Sequence, residues 1–155
     1  MATTAAQRVL DKANAAYEIC EYDYVEKGGT RASSTALGVD EHCVIKTLVF
    51  EDDKKKPLIV LMHGDKQVSA KSMARILGVK KVSPCAPKVA QKHSGYMVGG
   101  TSPFGTKKAL PVYMQESIAE LDEIYINAGR RGMLAKMSPQ VVVEILSPTL
   151  VDAES

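Results

Sequence analysis

The chain has 155 residues, with 20 Lys and Arg against 18 Asp and Glu, so its formal net charge of +2 is close to neutral. Hydrophobic residues make up 45% and charged residues 25%, the proportions of one ordinary globular domain over residues 1–155. These figures exclude a protein that coats nucleic acid by bulk charge and an acidic disordered chain, and no run approaches the roughly 18 apolar residues of a membrane span.

In chain order, residues 4–16 read as a helix: Thr3 or Thr4 can cap it, and Val9, Leu10, Ala13 and Ala16 fall at helical spacing. Residues 17–22 alternate large and polar side chains, the pattern of a half-buried strand. A turn is expected at 27–30, then a short helix over 33–37 that Gly38 stops. Residues 43–50, rich in Val, Ile, Thr and Phe, form the strongest predicted strand. Residues 57–62 return as a second strand across the charged turn 52–56. A helix over 69–77 stopped by Gly78, a short strand at 80–83 and a short helix opened by Pro87 follow. Residues 96–98 read as a strand fragment that leads into a glycine-rich loop, 99–105. Strands are expected at 111–114, 123–127 and 133–137, with a helical stretch at 116–121 and a turn at 129–132 between them. Ser138 and Pro139 open a last helix that runs to 146. The βαβαβ rhythm of a dinucleotide-binding sheet is absent, and a mixed α+β fold with a curved or barrel-like sheet fits better.

Lys46 is the anomaly in this pattern. In a strand, Val44, Lys46, Leu48 and Phe50 share one face, so a single ammonium stands among three apolar side chains. Such a lysine must reach solvent, find a partner or face a cleft. It is either an edge-strand charge that discourages aggregation or a functional cleft residue, and spacing alone does not decide between them. The loop at 99–105 is the second candidate, because paired glycines let a ligand approach the main chain closely. It lacks the ending of a phosphate-binding P-loop, and it can equally be a tight turn between strands. Nine of the 20 basic residues fall at 54–56, 80–81, 107–108 and 130–131, either as solvated turns or as a locally positive face that could meet RNA phosphates. His42, His63 and His93 form no recognisable catalytic or metal-binding signature, and no metal or cofactor is expected. Cys20, Cys43 and Cys85 are odd in number and scattered, so they read as small buried hydrophobes rather than a disulfide framework or a zinc site. No secretory signal opens the chain, so the expected location is the cytoplasm.

Several stretches together resemble the YbaK/EbsC family of aminoacyl-tRNA editing domains, which is similar to the editing insertion of bacterial prolyl-tRNA synthetases. They are residues 35–39 (TALGV), 44–49 (VIKTLV), 95–105 (GYMVGGTSPFG), 129–132 (GRRG) and 138–139 (SP), in the family's order and over nearly the whole chain. The resemblance implies an α+β fold on a mainly antiparallel, barrel-like sheet with surrounding helices. It makes Lys46, Gly99 and Gly100 the catalytic candidates, with the lysine near the tRNA 3′ end and glycine N–H groups at the developing oxyanion. Tyr22, Thr47, Thr101, Ser102 and Pro103 become substrate-binding candidates, with the weaker direct role for Thr47, which points to the other sheet face. Lys80, Lys81, Lys107, Lys108, Arg130 and Arg131 become candidates for tRNA contact. The implied partners are aminoacyl-tRNA, gripped at its 3′ end and acceptor stem, and a prolyl-tRNA synthetase. The implied reaction is removal of cysteine from Cys-tRNA(Pro), or from Cys-tRNA(Cys), by the substrate's own thiol, which would explain the absence of a visible protein nucleophile. Water-driven removal of alanine and a catalytically silent RNA- or synthetase-binding module are the alternatives. Two departures bear on the amino-acid pocket: residues 24–34 look shorter than in many cysteine deacylases, and Lys136 stands where an acidic residue is common.

Overall fold

The computed structural model describes residues 3–155, and its elements follow the hydrophobic periods closely. The first helix, α1 (Ala5–Lys12), is held by a capping box in which Thr4 and Gln7 satisfy each other's backbone N–H groups. It ends four residues earlier than its periodicity suggests, because Asn14 takes a positive φ of 54°. Next come β1 (Tyr17–Glu21), α2 (Gly29–Leu37), β2 (Val44–Asp52), β3 (Pro57–His63), α3 (Ala70–Leu77), β4 (Val82–Pro84) and α4 (Pro87–Ser94). The second half holds β5 (Val112–Gln115), β6 (Ile124–Arg130), β7 (Met133–Met137), α5 (Pro139–Leu146) and β8 (Thr149–Val151).

Two readings need correction. Residues 96–98 are not a strand: Tyr96 is buried, whereas Met97 and Val98 stand in solvent within a turn. The three cysteines are free but only partly buried. The helical stretch expected at 116–121 is a 3₁₀ helix over Glu116–Glu120.

The eight strands form one mixed, mostly antiparallel sheet in the order β1-β7-β6-β2-β3-β5-β8, with β4 paired to the far end of β2. The pairs β2–β6, β3–β5 and β5–β8 are parallel. Strand β3 lies centrally and is buried on both faces, so its run of apolar residues does not alternate with polar ones. Its Ile59 and Leu61 join a core with α1, β6 and β7 that includes Leu10, Phe104, Ile124 and Ile126. Its Leu58 and Val60 join a second core, under α3, with Phe50, Met73 and Val82. Each such side chain, fully buried, contributes roughly 1.5–3 kcal/mol. Among the described residues, no helix is long and apolar enough to cross a membrane.

Candidate functional site

The second core covers only part of its side of the sheet. Along β2, Ile45 enters the first core while Leu48 and Phe50 enter the second, so Lys46 belongs to the second side. On β6, Ile124, Ile126 and Ala128 fill the first core, which turns Tyr125 and Asn127 toward the same side as Lys46. Val44 pairs with Tyr125 in parallel register. Two residues further along each strand stand Lys46 and Asn127, on one face of one sheet.

Asn127 brings the glycine loop to that face. Its side-chain nitrogen donates to the Gly99 carbonyl at 3.0 Å, and its oxygen accepts from the N–H groups of Gly129 and Arg130. The last two contacts sit at the irregularity in β6–β7 pairing between Asn127 and Arg130. Gly99 takes φ +90°, and a Cβ there would lie 2.5 Å from the Tyr24 hydroxyl, so both backbone conformation and space require glycine. A Cβ on the buried Gly100 would meet the Arg130–Arg131 backbone at 3.0–3.2 Å, which locks loop and hairpin together.

The rest of the loop is scaffold. The Gly100 N–H donates to the Met97 carbonyl at 2.8 Å, whereas Gly99 is exposed. The Thr101 hydroxyl also donates to the Met97 carbonyl. Ser102 is fully buried and accepts from the Phe104 N–H, and Pro103 is buried beside it. The Tyr96 hydroxyl donates to the Phe104 carbonyl, and burial pushes this phenol's pKa up to about 12. Thr47 lies on the opposite face from Lys46, with its hydroxyl buried and without a hydrogen-bond partner among the described residues.

Lys46 is half-buried, and its ammonium donates to the Lys66 carbonyl. Burial lowers its pKa, while the Glu41 and Asp65 carboxylates act the other way and favour the charged form. The turn that supplies this acceptor is fastened by Thr30, whose hydroxyl meets Glu41 at 2.8 Å and the Gly64 carbonyl at 3.1 Å. At Gly64 a Cβ would come within 2.7 Å of the Glu41 carbonyl, the Val44 carbonyl and the Thr30 hydroxyl. Sequence reading missed Asn127, Thr30 and Gly64, since none belongs to a motif; each matters through a contact distant in sequence.

His63, fully buried beside this turn, stacks on His42 with ring centroids 3.7 Å apart. Its Nδ1 faces the His42 carbonyl at 2.8 Å and so carries the proton, which leaves Nε2 to accept from the Ser117 hydroxyl at 2.7 Å. Burial lowers its pKa from the ordinary 6.5. Below that value the unfolded chain takes up a proton that folded His63 refuses, so stability is full above pH 6.5 and falls as pH drops beneath it. Urea melts from pH 7 to 5 are expected to show a loss of up to about 1.4 kcal/mol per pH unit from this group. In His63→Gln that part of the slope disappears.

The basic residues divide. Lys107 and Lys108 bond through their N–H groups to Ser94 and His93 at the end of α4, so they stand at the base of the loop. Arg130 and Arg131 stand at its tip, where Arg131 Nε donates to the Val98 carbonyl at 2.9 Å. A cleft of about 330 Å³ there is lined by Tyr22, Arg130, Arg131 and Gly132. Tyr22 is half-buried, and its N–H donates to the Gly132 carbonyl. Burial, more than the neighbouring Tyr24, raises the Tyr22 phenol's pKa. Lys80 and Lys81 are exposed before β4, whose partner is the opposite end of β2, and they do not join this group. Lys136 lies between Glu123 at 3.6 Å and Glu18 at 3.8 Å, and the Glu123 carboxylate raises its pKa.

A model of the aminoacyl-tRNA editing domain matches residues 28–145. EbsC of Enterococcus faecalis, named as a candidate Cys-tRNA(Pro)/Cys-tRNA(Cys) deacylase, is 29% identical over 92% of this chain and 87% of its own. A proline–tRNA ligase of Thermodesulfovibrio yellowstonii is 32% identical over 91 residues, 59% of this chain but 16% of the ligase. In fold, the crystal structure of a candidate trans-editing enzyme for prolyl-tRNA synthetase superposes with a TM-score of 0.85 at 19% identity, covering 100% of this chain and 99% of that one. The protein APE2540 superposes with a TM-score of 0.89 at 20% identity, over 97% and 99%. With the family model spanning most of the chain, and a fastened glycine loop beside a half-buried lysine, this protein belongs to the aminoacyl-tRNA editing domain family.

Proposed function

We propose that the chain is a trans-acting aminoacyl-tRNA deacylase that removes cysteine from Cys-tRNA(Pro). The observation that carries this reading is the placement of Lys46 on the same sheet face as Asn127, which holds the Gly99 carbonyl. An ester lying between them would have a cation on one side and exposed main chain on the other. The name given to EbsC supports cysteine as the amino acid.

In the proposed reaction the substrate's thiol gives up its proton to water, and its sulfur attacks the carbonyl carbon of the same aminoacyl group. The C–S bond forms as the ester C–O bond breaks, the ribose oxygen takes a proton, and a cyclic thiolactone leaves. A thiol of pKa near 8.5 supplies enough thiolate at neutral pH, so the protein's task is orientation. Lys46 steadies the 3′ nucleotide and the charge near the ester, and the Gly99 N–H meets the oxyanion. Tyr22 borders the approach, Ser102 and Pro103 hold the loop in place, and Lys107, Lys108, Arg130 and Arg131 face the RNA. A prolyl-tRNA synthetase is the partner that would supply the mischarged tRNA.

The test is single-turnover deacylation of Cys-tRNA(Pro), Ala-tRNA(Pro) and Pro-tRNA(Pro). Rapid loss of cysteine alone is expected, with thiolactone as the first product. Alanine released as fast as cysteine would replace substrate-thiol attack with attack by water. No release from any of the three would leave a binding module instead of an enzyme.

A further inference from the structure

The loop tip carries a surface that the ester chemistry does not use. The Arg131 guanidinium carbon lies 5.0 Å from the Tyr24 ring centroid, and its Nε is fixed on the Val98 carbonyl. Tyr24 is in turn backed by Gly99, so the guanidinium is laid against a rigid support. Arg131 is exposed and forms no ion pair with a carboxylate among the described residues. Beside it stand Met97 and Val98, 53% and 47% exposed, two of only five large hydrophobic side chains so exposed among the described residues.

Planarity, positive charge and apolar flanks thus meet at one point of the surface. A single nucleotide fits: a flat base stacks on a guanidinium plane, apolar side chains cover its edge, and the charge attracts its phosphate. We propose that Arg131, supported by Tyr24 and flanked by Met97 and Val98, is a stacking platform for an unpaired base at the 3′ end of the tRNA. This inference rests on the editing reading above, since it assigns the end of the same RNA to a place beside the same loop.

The test uses the full chain and an uncharged acceptor-stem RNA with a single-stranded 3′ end, compared with the same RNA carrying abasic 3′ nucleotides. Arg131→Lys keeps the charge but loses the plane. Its affinity for the intact end is expected to fall about tenfold, with an unchanged salt slope and an unchanged melting temperature. On the abasic RNA, wild type and Arg131→Lys are expected to bind alike. Arg131→Ala should also flatten the salt slope by about 0.7, the loss of one phosphate contact on a single strand. Wild-type affinity in Arg131→Lys overturns the platform, and so does an equal loss on both RNAs, because the effect would then not pass through a base. Binding to uncharged RNA involves no ester, so a base-dependent loss without deacylation would fault only the enzymatic reading, and deacylation without base dependence only the platform.

Discussion

Replacing Lys46 with alanine is expected to slow release of the mischarged amino acid by about a hundred- to a thousand-fold, the usual effect of removing one preorganised charge from a transition state. The loss should appear in the single-turnover rate, with the melting temperature held or slightly raised. A half-buried ammonium is desolvated for one carbonyl bond and two nearby carboxylates, so the fold has little to lose without it. Lys46→Arg is not expected to restore activity, because the wider guanidinium cannot enter the space beside the Lys66 carbonyl in the same pose. Lys46→Met, which keeps the length and drops the charge, separates packing from electrostatics. Wild-type rates in either Lys46→Ala or Lys46→Met would remove Lys46 from the mechanism.

The second large effect falls on stability. Gly64→Ala is expected to destabilise the protein by about 3 kcal/mol, near the upper end for overpacking, and to lower the melting temperature by about 10 °C. The added methyl would meet three oxygens at 2.7 Å, two of them main-chain carbonyls that cannot move alone. Relief requires Thr30, at the start of α2, to leave the Gly64 carbonyl, or the turn at 64–66 to shift and take the Lys46 acceptor with it. The surviving folded fraction should therefore also deacylate slowly. A Gly64→Ala protein with wild-type melting and activity would contradict the close approach of these backbones.

Much of the site was legible because strand alternation is strict. One charge within VIKTLVF is visible as an exception from sequence alone, and the doubled glycines of the loop mark close main-chain contact before any partner is known. The partners were not legible. Tyr24 has no period or motif, and it reaches Gly99 only because the chain after β1 passes the β6–β7 turn. Asn127 looks like any polar residue of an alternating strand until its amide is seen bridging loop and bulge. The misread strand at 96–98 has good β-propensity but no neighbouring strand, and Gly95 and Gly99, both at positive φ, bend the chain around it. Strand β8 was missed for the opposite reason: it follows Pro148 and exposes two of its three side chains, yet β5 offers it an open edge.

The strand order also dictates when the molecule can become itself. Tyr17 pairs with Met137, Tyr113 with Thr149, and the Ser69 N–H that opens α3 donates to the carbonyl of Ala153. Early segments are thus completed by late ones, and the β2–β3 hairpin, with β4 added along β2, is the pairing available to a growing chain before β5 exists. Contacts of such sequence separation form slowly. During synthesis, β1 must wait as an unpaired edge while more than a hundred further residues emerge. A chain that stopped before residue 124 would hold Lys46 in its β2–β3 hairpin but have no β6–β7 hairpin for the glycine loop to rest on.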